Sequence, residues 1–109
     1  MQEKQTDKYI DTLEYTLEQP EDAYYHLRLY VARTLPSSIA LANIKKICDE
    51  YLSGQHHLEI IDIYEQPERL HEENIVAIPT LIKISPEPYL RLIGNLSDKT
   101  KVIMRLGLV

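Results

Sequence analysis

The sequence predicts an α/β domain: a βαβ unit followed by a short helix, a β-hairpin and a C-terminal helix. Three observations carry that order. Two runs rich in apolar and β-branched residues, 25–32 and 58–64, flank an amphipathic helical segment. Two more apolar runs, 80–84 and 89–93, are separated by Ser85-Pro86-Glu87-Pro88, a stretch that no central strand or helix interior accommodates. After Gly94-Asn95, the residues Val102, Ile103, Leu106 and Val109 form an apolar stripe at helical spacing.

Each element has its own signals. Ile10, Leu13 and Leu17 fall at i, i+3 and i+7, bordered by Tyr9 and Thr16, with Thr6 or Asp7 as cap and Pro20 beyond. An amphipathic helix is expected over 7–18, within an N-terminal extension (1–24) that precedes a domain over 25–109. The other reading of this stretch is a mobile leader that orders only in a crystal or an oligomer. Residues 25–32 alternate and then turn wholly apolar, as a central strand does. Ser38 is the expected N-cap of the next helix, whose inward face is Ile39, Leu41, Ala42, Ile44, Ile47, Cys48 and Leu52, and Ser53-Gly54 ends it. Residues 58–64 read as a second buried strand, parallel to the first. Pro67 opens a short helix to about residue 73. Ser97 is the expected cap of the last helix, which runs to about residue 108. Gly107 is its weak point, because Gly in a helix interior costs about 1 kcal/mol relative to Ala.

The chain has 109 residues, enough for one modest core. No apolar run approaches the ~20 residues needed to cross a bilayer. The N-terminus lacks the basic and apolar regions of a secretory signal, so a cytoplasmic location is expected. The net charge of −5 argues against general nucleic-acid binding. The single cysteine, Cys48, excludes an internal disulfide and sits on an apolar helix face, where it reads as an inert packing group. His56 and His57 are adjacent in a strand and point to opposite faces, so they do not share a metal. His26 and His71 are isolated, and Asp62 reads as a hydrogen-bonded residue at a strand end. Three glycines make no phosphate loop. No metal, cofactor or catalytic residue is expected. Eight tyrosines without Phe or Trp, among them Tyr24, Tyr25, Tyr64 and Tyr89, suit interfaces.

Residues 75–81, Ile-Val-Ala-Ile-Pro-Thr-Leu, resemble the proline turn of thioredoxin-like folds. The resemblance implies a cis bond before Pro79 and an active site at the end of the first strand. Residues 30–38 there read Tyr-Val-Ala-Arg-Thr-Leu-Pro-Ser-Ser, with no cysteine at Leu35 or Ser38. The architecture is expected without its usual redox chemistry.

A more specific likeness covers residues 25–109. Leu29-Tyr30-Val31-Ala32, Pro36-x-Ser38 and the run from Asn43 through Cys48 are similar to the KaiB family of circadian clock proteins. So are Ile60-Ile61-Asp62, Glu65-x-Pro67, Ala77-x-Pro79-Thr80-Leu81, Pro86-x-Pro88 and the run from Arg91 through Asp98. The resemblance implies a non-catalytic adaptor that binds the ring ATPase KaiC and recruits KaiA. It also implies competition with a KaiB-like domain of a histidine kinase. It further implies a metamorphic chain, with a tetrameric state and a thioredoxin-like state that binds KaiC. For this chain a homodimer is expected, with the tetramer as alternative, and neither nucleic acid nor membrane as partner. A redox-inactive thioredoxin-like module in another signalling or stress pathway, independent of KaiC, is the alternative function.

Four positions stand out against the family pattern and are the partner-binding candidates. Glu59 replaces an expected Lys. Asn74 precedes the apolar run before Pro79. Arg105 and Gly107 stand where the pattern has Gly and then Asp. The pattern's Arg in the first domain helix is missing, and its acidic tail has no counterpart before Val109. The reversal at residue 59 is expected to weaken KaiC binding. Arg105 is expected to favour the thioredoxin-like state, because a helix accepts Arg where a positive-φ site resists it.

Overall fold

The computed structural model describes residues 23–108, so the helix expected over 7–18 lies outside the described residues, as does Val109. The elements are β1 (Tyr25–Val31), α1 (Leu35–Tyr51), β2 (His56–Asp62), α2 (Glu68–Glu72), β3 (Thr80–Ser85), β4 (Leu90–Ile93) and α3 (Lys99–Arg105). The sheet order is β2-β1-β3-β4. β1 pairs in parallel with β2 and antiparallel with β3, and β3 pairs antiparallel with β4. This is the thioredoxin-like arrangement, with the two most apolar strands in the middle.

The two-residue period of β1 divides the molecule. Tyr25, Leu27 and Leu29 face one way, against Ala40, Ile44, Ile47 and Cys48 of α1 and Val102 and Ile103 of α3. Tyr30 faces the other way, with Ile61 of β2 and Ile82 of β3, under α2 and the segment that follows it. Fourteen buried residues form the first cluster and three the second. At roughly 1.5–3 kcal/mol per buried large side chain, the first face dominates stability. The second must find other means to hold α2. Lys83 is an exception on the first face: it is only 3% exposed, beside the Tyr25 ring, and burial pulls its pKa below the usual lysine range.

Several boundaries differ from expectation. Thr34, not Ser38, caps α1, its Oγ1 accepting the Ser37 N–H at 3.4 Å. Pro36 fits inside the first turn, where its missing N–H is not needed. The Ser37 hydroxyl turns inward and accepts the Ala32 N–H at 2.9 Å, tying α1 to the end of β1. Ala40 rather than Ala42 meets the core. β2 starts two residues early, in register with β1, and is an edge strand with only Ile61 fully buried. Asp98, not Ser97, caps α3, accepting the Lys101 N–H at 3.1 Å, while Ser97 donates its N–H to Asn95 Oδ1.

Gly107 is not a helix-interior residue. Its φ is +79°, and the Leu108 N–H donates to Ile103 O while the Gly107 N–H donates to Met104 O. That pair of bonds is the Schellman ending, and Leu108 then packs on the core. A Cβ at Gly107 would make ordinary contact with Tyr25 Oη at 3.6 Å, so only the backbone conformation resists a side chain. Gly107→Ala is therefore expected to destabilise the fold by about 1 kcal/mol. Gly107→Asn should cost less. Urea unfolding checks both, and an unchanged midpoint for the Ala variant would contradict the assignment.

Candidate functional site

The turn after β1 holds the position of a thioredoxin-type centre. Register pairs Tyr30 with Thr80, which places the cis Ile78–Pro79 bond beside the end of β1. Pro79 O accepts the Gly94 N–H at 3.0 Å, and Thr80 Oγ1 donates to Ala77 O at 2.5 Å, so the turn is braced from both sides. The side chains it offers are Leu35 and Val76, which are 72% and 91% exposed. Cys48 lies elsewhere, buried on α1, with burial pushing its thiol up to about 11. It supplies no thiolate at neutral pH. Asp62 closes the turn after β2: Oδ1 accepts the Tyr64 N–H at 2.9 Å and Oδ2 takes Arg33 at 3.2 Å. Among the described residues no group of His, Cys, Asp and Glu is arranged to hold a metal. Nor is any helix among them long and apolar enough to cross a membrane.

A polar network occupies the second face of the sheet. Arg28 points to the same side as Tyr30, opposite Glu59 on β2. Its Nε donates to Glu59 Oε1 at 2.7 Å and its Nη1 reaches Glu73 Oε1 at 2.9 Å. Arg69 of α2 meets the other Glu59 oxygen at 3.6 Å. The Tyr30 hydroxyl donates to Glu73. Arg91 of β4 donates to Asn74 O at 3.0 Å and to Glu73 O. The Arg28 guanidinium thus joins β1 to the neighbouring strand β2 and to the end of the helix above. Asn74 follows α2 with φ +54°, a conformation that Asn tolerates better than most residues.

The electrostatics follow from this geometry. The hydrogen bond from Arg28 holds the Glu59 carboxylate below the usual range, against the burial that raises it. Burial also raises Glu73, but the bonds from Tyr30 and Arg28 prevail and hold it low. Burial, with the bond to Glu73, pushes the Tyr30 phenol up to about 12.

The four partner-binding candidates therefore separate. Glu59 and Asn74 belong to this one network. Arg105 and Gly107 lie at the end of α3, on the opposite face. Sequence reasoning missed Arg28, Glu73 and Arg91. A signal existed for Arg28: an arginine inside a strand read as central requires a carboxylate partner. Glu73 and Arg91 carried none, because their roles depend on how the segment after α2 folds back.

Known proteins supply the context. The KaiB domain family model matches residues 28–108. The circadian clock protein KaiB3 of Synechocystis sp. is 48% identical over 84 residues, spanning 76% of this chain and 82% of that protein. Among solved structures, the N-terminal domain of Synechococcus elongatus SasA aligns with a TM-score of 0.63 at 24% identity, over 78% of this chain and 85% of that one. Chloroplastic thioredoxin z aligns with a TM-score of 0.64 at 18% identity, over 89% and 88% of the two chains. The last two likenesses concern the fold.

The network makes the second face acid-sensitive. Glu59 and Glu73 both have lowered folded pKa values, so their contribution is present above the unfolded value, about 4.3, and is lost as pH falls through the folded values. Amide protection in residues 68–78, relative to the intrinsic exchange rate at each pH, is expected to fall on acidification below about pH 4, ahead of protection in α1. Glu73→Gln should remove most of that step. Simultaneous loss of protection in both regions at every pH would contradict it.

Proposed function

The chain belongs to the KaiB family, and on that premise we propose that it is a non-catalytic clock regulator that works by docking on a KaiC-like ATPase ring, with KaiA-like or histidine-kinase partners joining or competing. The turn after β1 carries the reading. The position of a redox centre is filled by Leu35, Pro36, Ser37 and Ser38, and its exposed groups are apolar. Such a surface suits recognition rather than electron transfer.

Glu59 bears on the strength of that docking. A bare carboxylate in place of lysine would face a partner surface suited to a cation, and that like-charge juxtaposition would cost several kcal/mol. Here Arg28 and Arg69 both contact the carboxylate, so much of its charge is met within the chain. The reversal weakens docking less than the sequence alone suggests. It also makes Glu59→Lys a poor test, because a third cation between two arginines would disrupt the network.

Calorimetry against the KaiC-like ring of the same organism is expected to give binding, with Glu59→Gln changing the Kd by no more than about threefold, under roughly 1 kcal/mol. The same preparation should not reduce insulin disulfides. Absence of binding at about 100 μM would overturn the KaiC assignment and favour a redox-inactive module in another pathway. Disulfide reduction that survives Cys48→Ala would overturn the non-catalytic reading itself.

A further inference from the structure

The chain's charge is divided unevenly. Residues 1–22 contain seven carboxylates, Glu3, Asp7, Asp11, Glu14, Glu18, Glu21 and Asp22, against Lys4 and Lys8. The whole net charge of −5 therefore resides there, and the remainder of the chain is neutral. That remainder has a basic cleft of about 300 Å³ between β4 and α3, lined by Arg91, Lys101 and Arg105 with Ile93, Leu96 and Asp98. No ion pair joins Lys101 or Arg105 to another described residue, whereas the Arg91 guanidinium is taken up by the carbonyls of Glu73 and Asn74. The one carboxylate in the lining, Asp98, is engaged as the cap of α3. Lys101 and Arg105 are four apart on a helix, so they stack on one face as like charges, an arrangement that disfavours the helix unless an anion answers it. Ile93, 64% exposed, adds an apolar group to the same cleft.

We propose that the acidic N-terminal segment of this chain, residues 7–22, docks in the cleft between β4 and α3, its carboxylates on Lys101 and Arg105 and its Ile10, Leu13 and Leu17 side chains toward Ile93. The assignment is independent of the regulatory reading above. Three arguments select this occupant. The first is complementary charge. The second is the apolar spacing within an acidic sequence, which a small anion would not exploit. The third is reach. The Tyr25 hydroxyl donates to Leu106 O at 2.8 Å, so the point where the segment joins the domain lies beside the C-terminal end of α3. Arg105 is the adjacent residue, Lys101 one turn further, and four to six extended residues span about 13–20 Å, enough to run along the helix. Being tethered, the segment acts at a high effective concentration, and any partner using this face must displace it. The contact is self-masking.

The test uses the full chain. A nitroxide on Thr12→Cys leaves the buried Cys48 untouched, and relaxation enhancement is read on backbone amides. At low salt the amides of residues 93–105 should broaden, and the effect should fall sharply in about 0.5 M NaCl, where surface charges are screened. Lys101→Glu with Arg105→Glu should abolish it, and adding Asp11→Lys, Glu14→Lys and Glu18→Lys should restore it. Amide dispersion of β1 and β3 reports whether each variant is folded, and the salt series on the spin-labelled chain stands if the reversal variants are not. Broadening centred elsewhere, no broadening, or broadening indifferent to charge and salt would overturn the proposal. So would broadening seen only when a spin-labelled copy is mixed with an isotope-labelled one, which would make the occupant a second molecule.

Discussion

Arg28 is the residue on which the second face depends. It rises from the central strand among apolar neighbours and must be answered by negative charge, since an uncompensated guanidinium there would be costly. Glu59 answers from the neighbouring strand and Glu73 from the end of α2. Apolar contacts alone leave that face thinly covered, with three buried residues against fourteen opposite. The charge network therefore decides where α2 and the segment leading to Pro79 sit. Arg91 completes the frame by holding the carbonyls of residues 73 and 74. Through that frame the segment that carries Val76, the most exposed large apolar side chain described, is fastened to the sheet.

The two faces of the sheet thus have different physics. The face under α1 and α3 is held by ordinary side-chain packing, which is insensitive to pH and salt. The face under α2 is held by partly exposed charge pairs, which respond to both. A protein that works by presenting surfaces to partners can use such a difference, because the softer face can be remodelled without unfolding the rest. The family to which the chain belongs gives that softness a context.

Most of the architecture was legible in the sequence because it is written in periodicity. The strands, the amphipathic first helix, the short helix after Pro67 and the C-terminal helix follow from apolar spacing and from Gly and Pro. Their ends were less legible, because caps are chosen in competition. Ser38 is the cap read from the sequence, but Thr34 takes that role by accepting the Ser37 N–H, and Ser37 turns inward to the Ala32 N–H. Gly107 was misplaced for a related reason: the same residue weakens a helix interior and ends a helix well, and two backbone bonds distinguish the cases. The site was less legible still. Glu59 could be singled out as unusual, but its partners lie 31 and 10 residues away in sequence and are joined only by the fold.

The most direct test of the Arg28 frame is a double-mutant cycle on Arg28 and Glu73, using Arg28→Met, Glu73→Gln and the pair, with stability read by urea unfolding. A coupling of about 1 kcal/mol or more is expected, since the bond is charge-assisted and partly buried. Strictly additive effects would contradict the claim that this guanidinium fastens α2 to the sheet.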